Sequence, residues 1–225
     1  MKAVQKTILA SLLALSIGQA MAADSIDVKV IGTIVPAACT PTLTGGATID
    51  YGKILASNIP KDDYKILGVK SLDFSISCQA PTKVALQSKD MREGSNANPI
   101  GKQLLDYAAA TATSVLRGLN TADGKKIGAY VIEIDGNSVK LDGSVTPDNI
   151  YSQDAGKTWL KSSITGLTGS TYISSWAKTG ELTPTAFTNM TGTLRVQASI
   201  NKGSELDLSK EIKLDGLTTI ELVYL

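Results

Sequence analysis

A two-residue period is the feature of this sequence that most limits its fold. Ile26, Val28 and Val30, then Leu72, Phe74, Ile76 and Cys78, then Val84 and Leu86, and finally Leu194, Val196, Ala198 and Ile200 each alternate with other residues. Almost no stretch repeats its apolar residues at i, i+3, i+4 and i+7. Alternate side chains of an extended chain fall on one face, whereas a helix needs the longer spacing. The chain therefore reads as all-β. Further strands are expected from about Ile127 to Ile134, from Val139 to Leu141, from Thr171 to Trp176 and from Leu217 to Tyr224. Between them Asp135-Gly136 and Asp142-Gly143 are turn signals, because both residue types tolerate positive φ. Strands punctuated by turns at short intervals imply a sandwich or barrel. With no Pro-rich or Ser-rich linker, internal repeat or sustained composition shift, one domain is expected. Two stretches escape the period. Asp90 to Gly101 carries charges, Gly94, Ser95, two Asn and Pro99, which predicts a long exposed loop. Leu104 to Leu119, with Ala108-Ala109-Ala110, reads either as a short helix or as an irregular crossover.

Ahead of the strands, Lys2 and Lys6 precede an uncharged run from Thr7 to Ile17, followed by Ala20-Met21-Ala22. This is the pattern of a secretory signal peptide. Its apolar stretch is far shorter than the ~20 residues a membrane-crossing helix needs, so no membrane span is expected in the mature chain. Cleavage between Ala22 and Ala23 divides the sequence into a signal peptide, 1–22, and a mature domain, 23–225. Export also decides the chemistry of the only two cysteines, because thiols in an oxidising compartment pair. Cys78 shares parity with Leu72, Phe74 and Ile76, so its sulfur is expected to face the core. A Cys39–Cys78 bridge closes a loop of about 40 residues and contributes roughly 4 kcal/mol on the chain-entropy estimate.

Composition excludes much else. Twenty-two Lys and Arg against twenty-one Asp and Glu give a net charge of +1, and there is no His. No basic surface suited to nucleic acid is implied. The commonest general base and the commonest metal ligand are both missing. Carboxylates are the general acid–base candidates left in number, and no pairing among them can be located from sequence. Asp135-Gly136-Asn137 and Asp148-Asn149 lack the alternating oxygen ligands and closing Glu of a calcium loop and read as turns. Trp159 and Trp176, with no aromatic cluster around them, read as packing residues. No catalytic residue, cofactor or metal site is assigned, and the chain is not expected to be an enzyme.

The strongest pattern joins the two ends of the chain. Gly32-Thr33-Ile34-Val35-Pro36-Ala37-Ala38-Cys39 is followed, after Gly45-Gly46, by Ile49-Asp50-Tyr51-Gly52-Lys53-Ile54 and the alternating strand that ends in Cys78. The chain closes on Thr218, Ile220, Leu222 and Tyr224 on one face, with Tyr224 penultimate. This arrangement resembles subunits of chaperone-usher fimbriae. Within them the whole chain is similar to a family of exported proteins encoded near fimbrial genes, which includes the periplasmic protein F of the glutamate synthase operon. Ala38-Cys39-Thr40-Pro41, Lys126-Ile127-Gly128, Ala177 to Pro184, Lys213-Leu214-Asp215-Gly216 and Val223-Tyr224-Leu225 carry that similarity.

The resemblance implies a pilin-like, immunoglobulin-like β-sandwich that lacks its last strand. It also implies a fimbrial-like structural or accessory subunit in the periplasm or in a surface fibre. A periplasmic chaperone, and later a neighbouring subunit delivered by the usher, would fill the resulting groove by strand addition. Thr218, Ile220, Leu222 and Tyr224 would border that groove, and the carboxylate of Leu225 would be held by a basic anchor of the chaperone. Ile26, Val28 and Val30 would form the donor strand offered to a neighbour. The alternative is a self-complete periplasmic or secreted binding protein of unnamed ligand on the same sandwich, in which the last strand is simply half-buried. Departures from pilins favour it: only Ala23 to Asp27 precede Val28, Gly216 stands nearer the end than the pilin glycine, and the stretch after Cys78 is longer.

Replacement of Cys39 tests the bridge. Cys39→Ser is expected to lower unfolding stability by about 4 kcal/mol, read as a lower denaturant midpoint under oxidising conditions; an unchanged midpoint would show that no bridge forms.

Overall fold

In a computed structural model, residues 28–34, 38–105, 107, 115–143, 146–163, 165–169 and 171–225 are described. The chain divides into two units, Met1–Val35 and Pro36–Leu225, and every described strand belongs to the second. In chain order these are β1 (Cys39–Leu43), β2 (Lys65–Ile66), β3 (Lys70–Thr82), β4 (Val84–Asp90), β5 (Arg117–Gly118), β6 (Thr121–Ala122), β7 (Lys125–Lys126), β8 (Gly128–Ile134), β9 (Lys140–Leu141), β10 (Asp148–Ser152), β11 (Leu160–Ser162), β12 (Thr165–Gly166), β13 (Ile173–Ala177), β14 (Phe187–Ile200) and β15 (Thr218–Tyr224). Among the described residues there is no α-helix, and no helix long and apolar enough to cross a membrane.

The fold is an all-β sandwich. One sheet runs β1-β3-β14-β8-β12, with β2 and β9 also pairing to β14 and β5 to β8. The other runs β11-β10-β13-β4-β15, and β6-β7 is a separate hairpin. All pairings between these strands are antiparallel. The period-two residues do what their parity demands. Phe74, Ile76 and Cys78 of β3, Val84 and Leu86 of β4, and Leu194, Val196, Ala198 and Ile200 of β14 fill one core together with Tyr130, Ile132 and Ile134 of β8. Trp176 of β13 is fully buried and meets Phe187 edge-on, with ring centroids 5.8 Å apart.

A buried cation ties the sheets together. Arg117, on β5 beside β8, donates to Ser88 Oγ of β4 at 2.8 Å and to the Leu167 carbonyl. Desolvation holds its guanidinium below the usual arginine range, since burial disfavours the charged form.

The disulfide joins Cys39 and Cys78 across directly opposed positions of β1 and β3, with Cα atoms 4.0 Å apart. Cys78 faces the core, as its parity requires. β8 begins at Gly128 rather than Ile127, and β13 is shifted to Ile173–Ala177. Several expectations need correction. Val28 and Val30 lie in no strand and are exposed, because alternation supplies a face but not the hydrogen-bonding neighbour that a strand requires. Ile26, and Ala22 and Ala23 at the expected cleavage point, lie outside the described residues. The Asp90–Gly101 stretch is not wholly exposed: Ala97 is buried and its N–H donates to the Gly128 carbonyl at 2.9 Å. Of Leu104 to Leu119, Leu104, Leu116 and Leu119 are buried, and most of the residues between lie outside the described set. The short strands β2, β5, β6, β7, β10, β11 and β12 were not expected.

Trp176 is the largest wholly buried side chain. Trp176→Ala is expected to cost about 3–5 kcal/mol of unfolding free energy, measured by denaturant titration.

Candidate functional site: an open groove between two sheet edges

The last strand, β15, has among the described residues a single strand neighbour, β4, in register from Thr218↔Asp90 to Tyr224↔Val84. Met91 N–H donates to the Leu217 carbonyl at 2.9 Å and Leu225 N–H to the Lys83 carbonyl at 3.1 Å. Hydrogen-bonded pairs alternate in an antiparallel ladder, so Thr219, Glu221 and Val223 bond to β4. The backbone groups of Thr218, Ile220, Leu222 and Tyr224 therefore face the free edge.

β1 is the matching edge of the other sheet. The Gln79 N–H donates to the Ala38 carbonyl at 3.0 Å, and the same alternation assigns Thr40 and Thr42 to β3. Cys39, Pro41 and Leu43 face away from it. Gly45 and Gly46, with φ of 65° and 68°, then turn the chain out of β1, a conformation that side chains resist. The chain continues past Ile49, Tyr51 and Ile54, all packed against the core. Across from it, Leu206, Ile212 and Leu214 do the same on the approach to β15.

Between these two walls the sandwich is open. A cavity of ≈ 280 Å³ lies between Pro41, Leu43 and Phe74 on one side and Thr218 and Ile220 on the other. A second of ≈ 420 Å³ shares Leu43, Thr218 and Ile220 with it, and its floor includes Leu72, Tyr130, Ile132, Leu194 and Val196. A third of ≈ 700 Å³ shares Ile49, Tyr51 and Leu214 with the second and runs on to Ile59 and Leu206. The three share lining residues and form one groove with a mainly apolar floor of sheet residues, while Asp50, Lys53, Lys210, Glu211 and Lys213 line its far end.

Polar contacts set its shape. The Tyr130 and Thr218 hydroxyls hydrogen-bond at 2.6 Å, and burial pushes the Tyr130 phenol up to about 12. The Tyr51 hydroxyl donates to the Val196 carbonyl at 3.3 Å. Arg92 clamps the Asp215 carboxylate through Nε at 3.0 Å and Nη2 at 2.9 Å, and Asn120 Nδ2 donates to it at 2.9 Å. Arg92 first, then Asn120, hold Asp215 below the usual carboxylate range. Gly216 follows because a Cβ there would stand 2.6 Å from Tyr130 Cε1. At the far end, Tyr224 Oη accepts from the Cys39 N–H at 2.9 Å.

Of the residues expected at a groove, Thr218 and Ile220 line it, Leu222 packs on the core beside it, and Tyr224 ties its two edges at one end. Leu225 is partly exposed past the end of β15. The irregular walls, Ile49–Ile59 and Leu206–Leu214, were missed by sequence reasoning; Ile49-Asp50-Tyr51 in the fimbrial-like pattern was the available signal. Asp148, considered for calcium, accepts instead from Lys161 Nζ and from the Gly180 N–H, both at 2.8 Å. Trp159 is half-buried and donates to the Gly156 carbonyl at 3.1 Å.

Comparison with known proteins places the chain among relatives. A family described as "Protein of unknown function (DUF1120)" matches residues 28–131. The chain is 37% identical over 232 aligned positions to Protein GltF of Escherichia coli (strain K12), covering 92% of this chain and 91% of that protein. It is 33% identical over 223 positions to Uncharacterized protein YhcF of the same organism, with coverage of 92% and 93%.

Asp215→Asn tests the clamp on the groove wall. Amide exchange at Leu214 and Leu217 is expected to quicken several-fold at neutral pH. A lowered native-state pKa contributes stability above the unfolded aspartate pKa, ~3.9, and loses it as pH falls through the native value. The difference between wild type and variant is therefore expected to vanish in acid.

Proposed function

The chain belongs to one family with GltF and YhcF, and its residues 28–131 match the DUF1120 family; from that premise we propose that it is a fimbrial-like structural or accessory subunit of a bacterial surface fibre. A strand from a partner completes its sandwich. The observation that carries this reading is the continuous groove with a mainly apolar floor flanked by β15, whose outward backbone groups have no strand partner among the described residues.

A partner strand suits such a groove on physical grounds. The apolar floor favours alternate apolar side chains, and the free edge supplies ladder hydrogen bonds. A periplasmic fimbrial chaperone provides that strand first, and another fimbrial subunit brought by the usher replaces it. The Leu225 carboxylate, just past the groove's tied end, offers an anion for a basic residue of the chaperone. Exposed Val28 and Val30, with Ile26, supply alternating apolar residues for donation to a neighbour. The chain works after export, once residues 1–22 are removed, in the periplasm or in a surface fibre. No step here needs a catalytic residue, cofactor or metal.

Expression of the exported chain with and without a co-expressed fimbrial chaperone tests the proposal. The chain alone is expected to be degraded or to aggregate, and the chaperone to rescue it as a soluble complex. Leu222→Arg, which sets a charge on the face that packs beside the groove, is expected to lose that rescue. A soluble monomer that unfolds cooperatively without any partner would overturn the proposal in favour of a self-complete binding domain.

A further inference from the structure

The two edges of the groove are not equally available. Along β1 the outward positions are Cys39, Pro41 and Leu43. Pro41 has no N–H to give, and proline at an edge strand blocks pairing there. The Cys39 N–H is already taken by Tyr224 Oη, which occupies the position where the carbonyl of an adjacent strand would stand. Leu43 is left as the outward donor of the strand that has no partner among the described residues. Along β15, by contrast, Thr218, Ile220, Leu222 and Tyr224 all present N–H and C=O groups outward, and no described strand meets them.

The tie also fixes the width of the gap. Tyr224 belongs to one sheet and Cys39 to the other, so the phenol crosses the ~10 Å that separates facing sheets. None of the three groove cavities is lined by Tyr224 or Cys39, and the largest of the three is the one lined by Ile59 and Leu206.

From this geometry we infer that the groove takes a strand by one edge only. The incoming strand hydrogen-bonds to β15, while Tyr224 and Pro41 keep the β1 edge shut, so that β1 contributes side-chain contact but no ladder. Tyr224 is thereby a positioning residue that directs the strand to the correct edge. The inference rests on the proposed strand completion and adds which edge pairs. The occupant is an extended segment with alternating apolar residues and at least three backbone carbonyls spaced to meet Thr218, Ile220 and Leu222.

Residue-resolved amide exchange on the exported full chain decides it, with a synthetic peptide of residues 23–38 as the probe strand. In the free wild type, Cys39 is expected to be protected and Leu43 not. Tyr224→Phe, which keeps the ring and removes the acceptor, is expected to speed Cys39 exchange about two- to tenfold, the worth of one ordinary hydrogen bond, while Thr40 and Thr42 stay unchanged. With peptide added to the wild type, Thr218, Ile220 and Leu222 are expected to slow at least about tenfold and Leu43 to stay fast. New protection at Leu43 equal to that at Ile220 would overturn one-edge entry and leave strand completion standing. An unchanged Cys39 amide in Tyr224→Phe would overturn the tie. No change anywhere along β15 would remove strand completion itself, and with it this inference.

Discussion

The open side of this sandwich depends on the pairing of β1 with β3 and on the disulfide that crosslinks it. β1 is five residues long and has one hydrogen-bonded strand neighbour among the described residues. A strand that short, paired on a single side, gains little from its own ladder. Cys39–Cys78 fixes the first residue of β1 over a core-facing position of β3, and everything downstream follows the strand that is fixed. The Gly45-Gly46 turn leaves from its end, the Ile49–Ile59 wall continues it, and the Cys39 N–H meets Tyr224. The crosslink thus sets the position of one groove wall relative to the floor.

The opposite wall is held by different means. β15 is in register with β4 along its whole length, and the approach to it is fastened by the Arg92–Asp215 clamp and by the contact of Gly216 with Tyr130. Both walls are therefore anchored independently of whatever lies between them. This matters physically, because an apolar groove with mobile walls would collapse on itself to bury its floor. Here Tyr130, Ile132, Leu194 and Val196 lie at the base of the groove yet are already buried in the core, with Leu72 partly exposed beside them. A groove kept open in this way is pre-organised, and a strand entering it does not have to order its walls first.

Much of this was legible in the sequence, and the limits are instructive. β3, β4, β14 and β15 could be read because a two-residue period is a local property; β8, buried along its whole length, shows instead as a nearly continuous apolar run. The disulfide was legible because an expected export signal and two cysteines leave few alternatives. The groove walls were not, because Ile54, Ile59, Leu206, Ile212 and Leu214 follow no period; their burial comes from lying across sheets that are distant in sequence. Val28 and Val30 show the converse failure. They have the period of a strand and no partner to make one.

What the sequence by itself determined was the class of fold, the face each long strand turns to the core, the pairing of Cys39 with Cys78, and the absence of imidazole chemistry. Those follow from residue types and spacing, which act over a few positions or leave only one partner. Only the tertiary structure decided which strands became edges, and therefore where the opening lies and which backbone groups border it. Whether a strand has a second neighbour is a property of the whole sheet order, and Tyr224 meets Cys39 across 185 positions of sequence. No local pattern carries that information, because the hydrogen bond depends on the distance between two sheets and not on the residues flanking either partner.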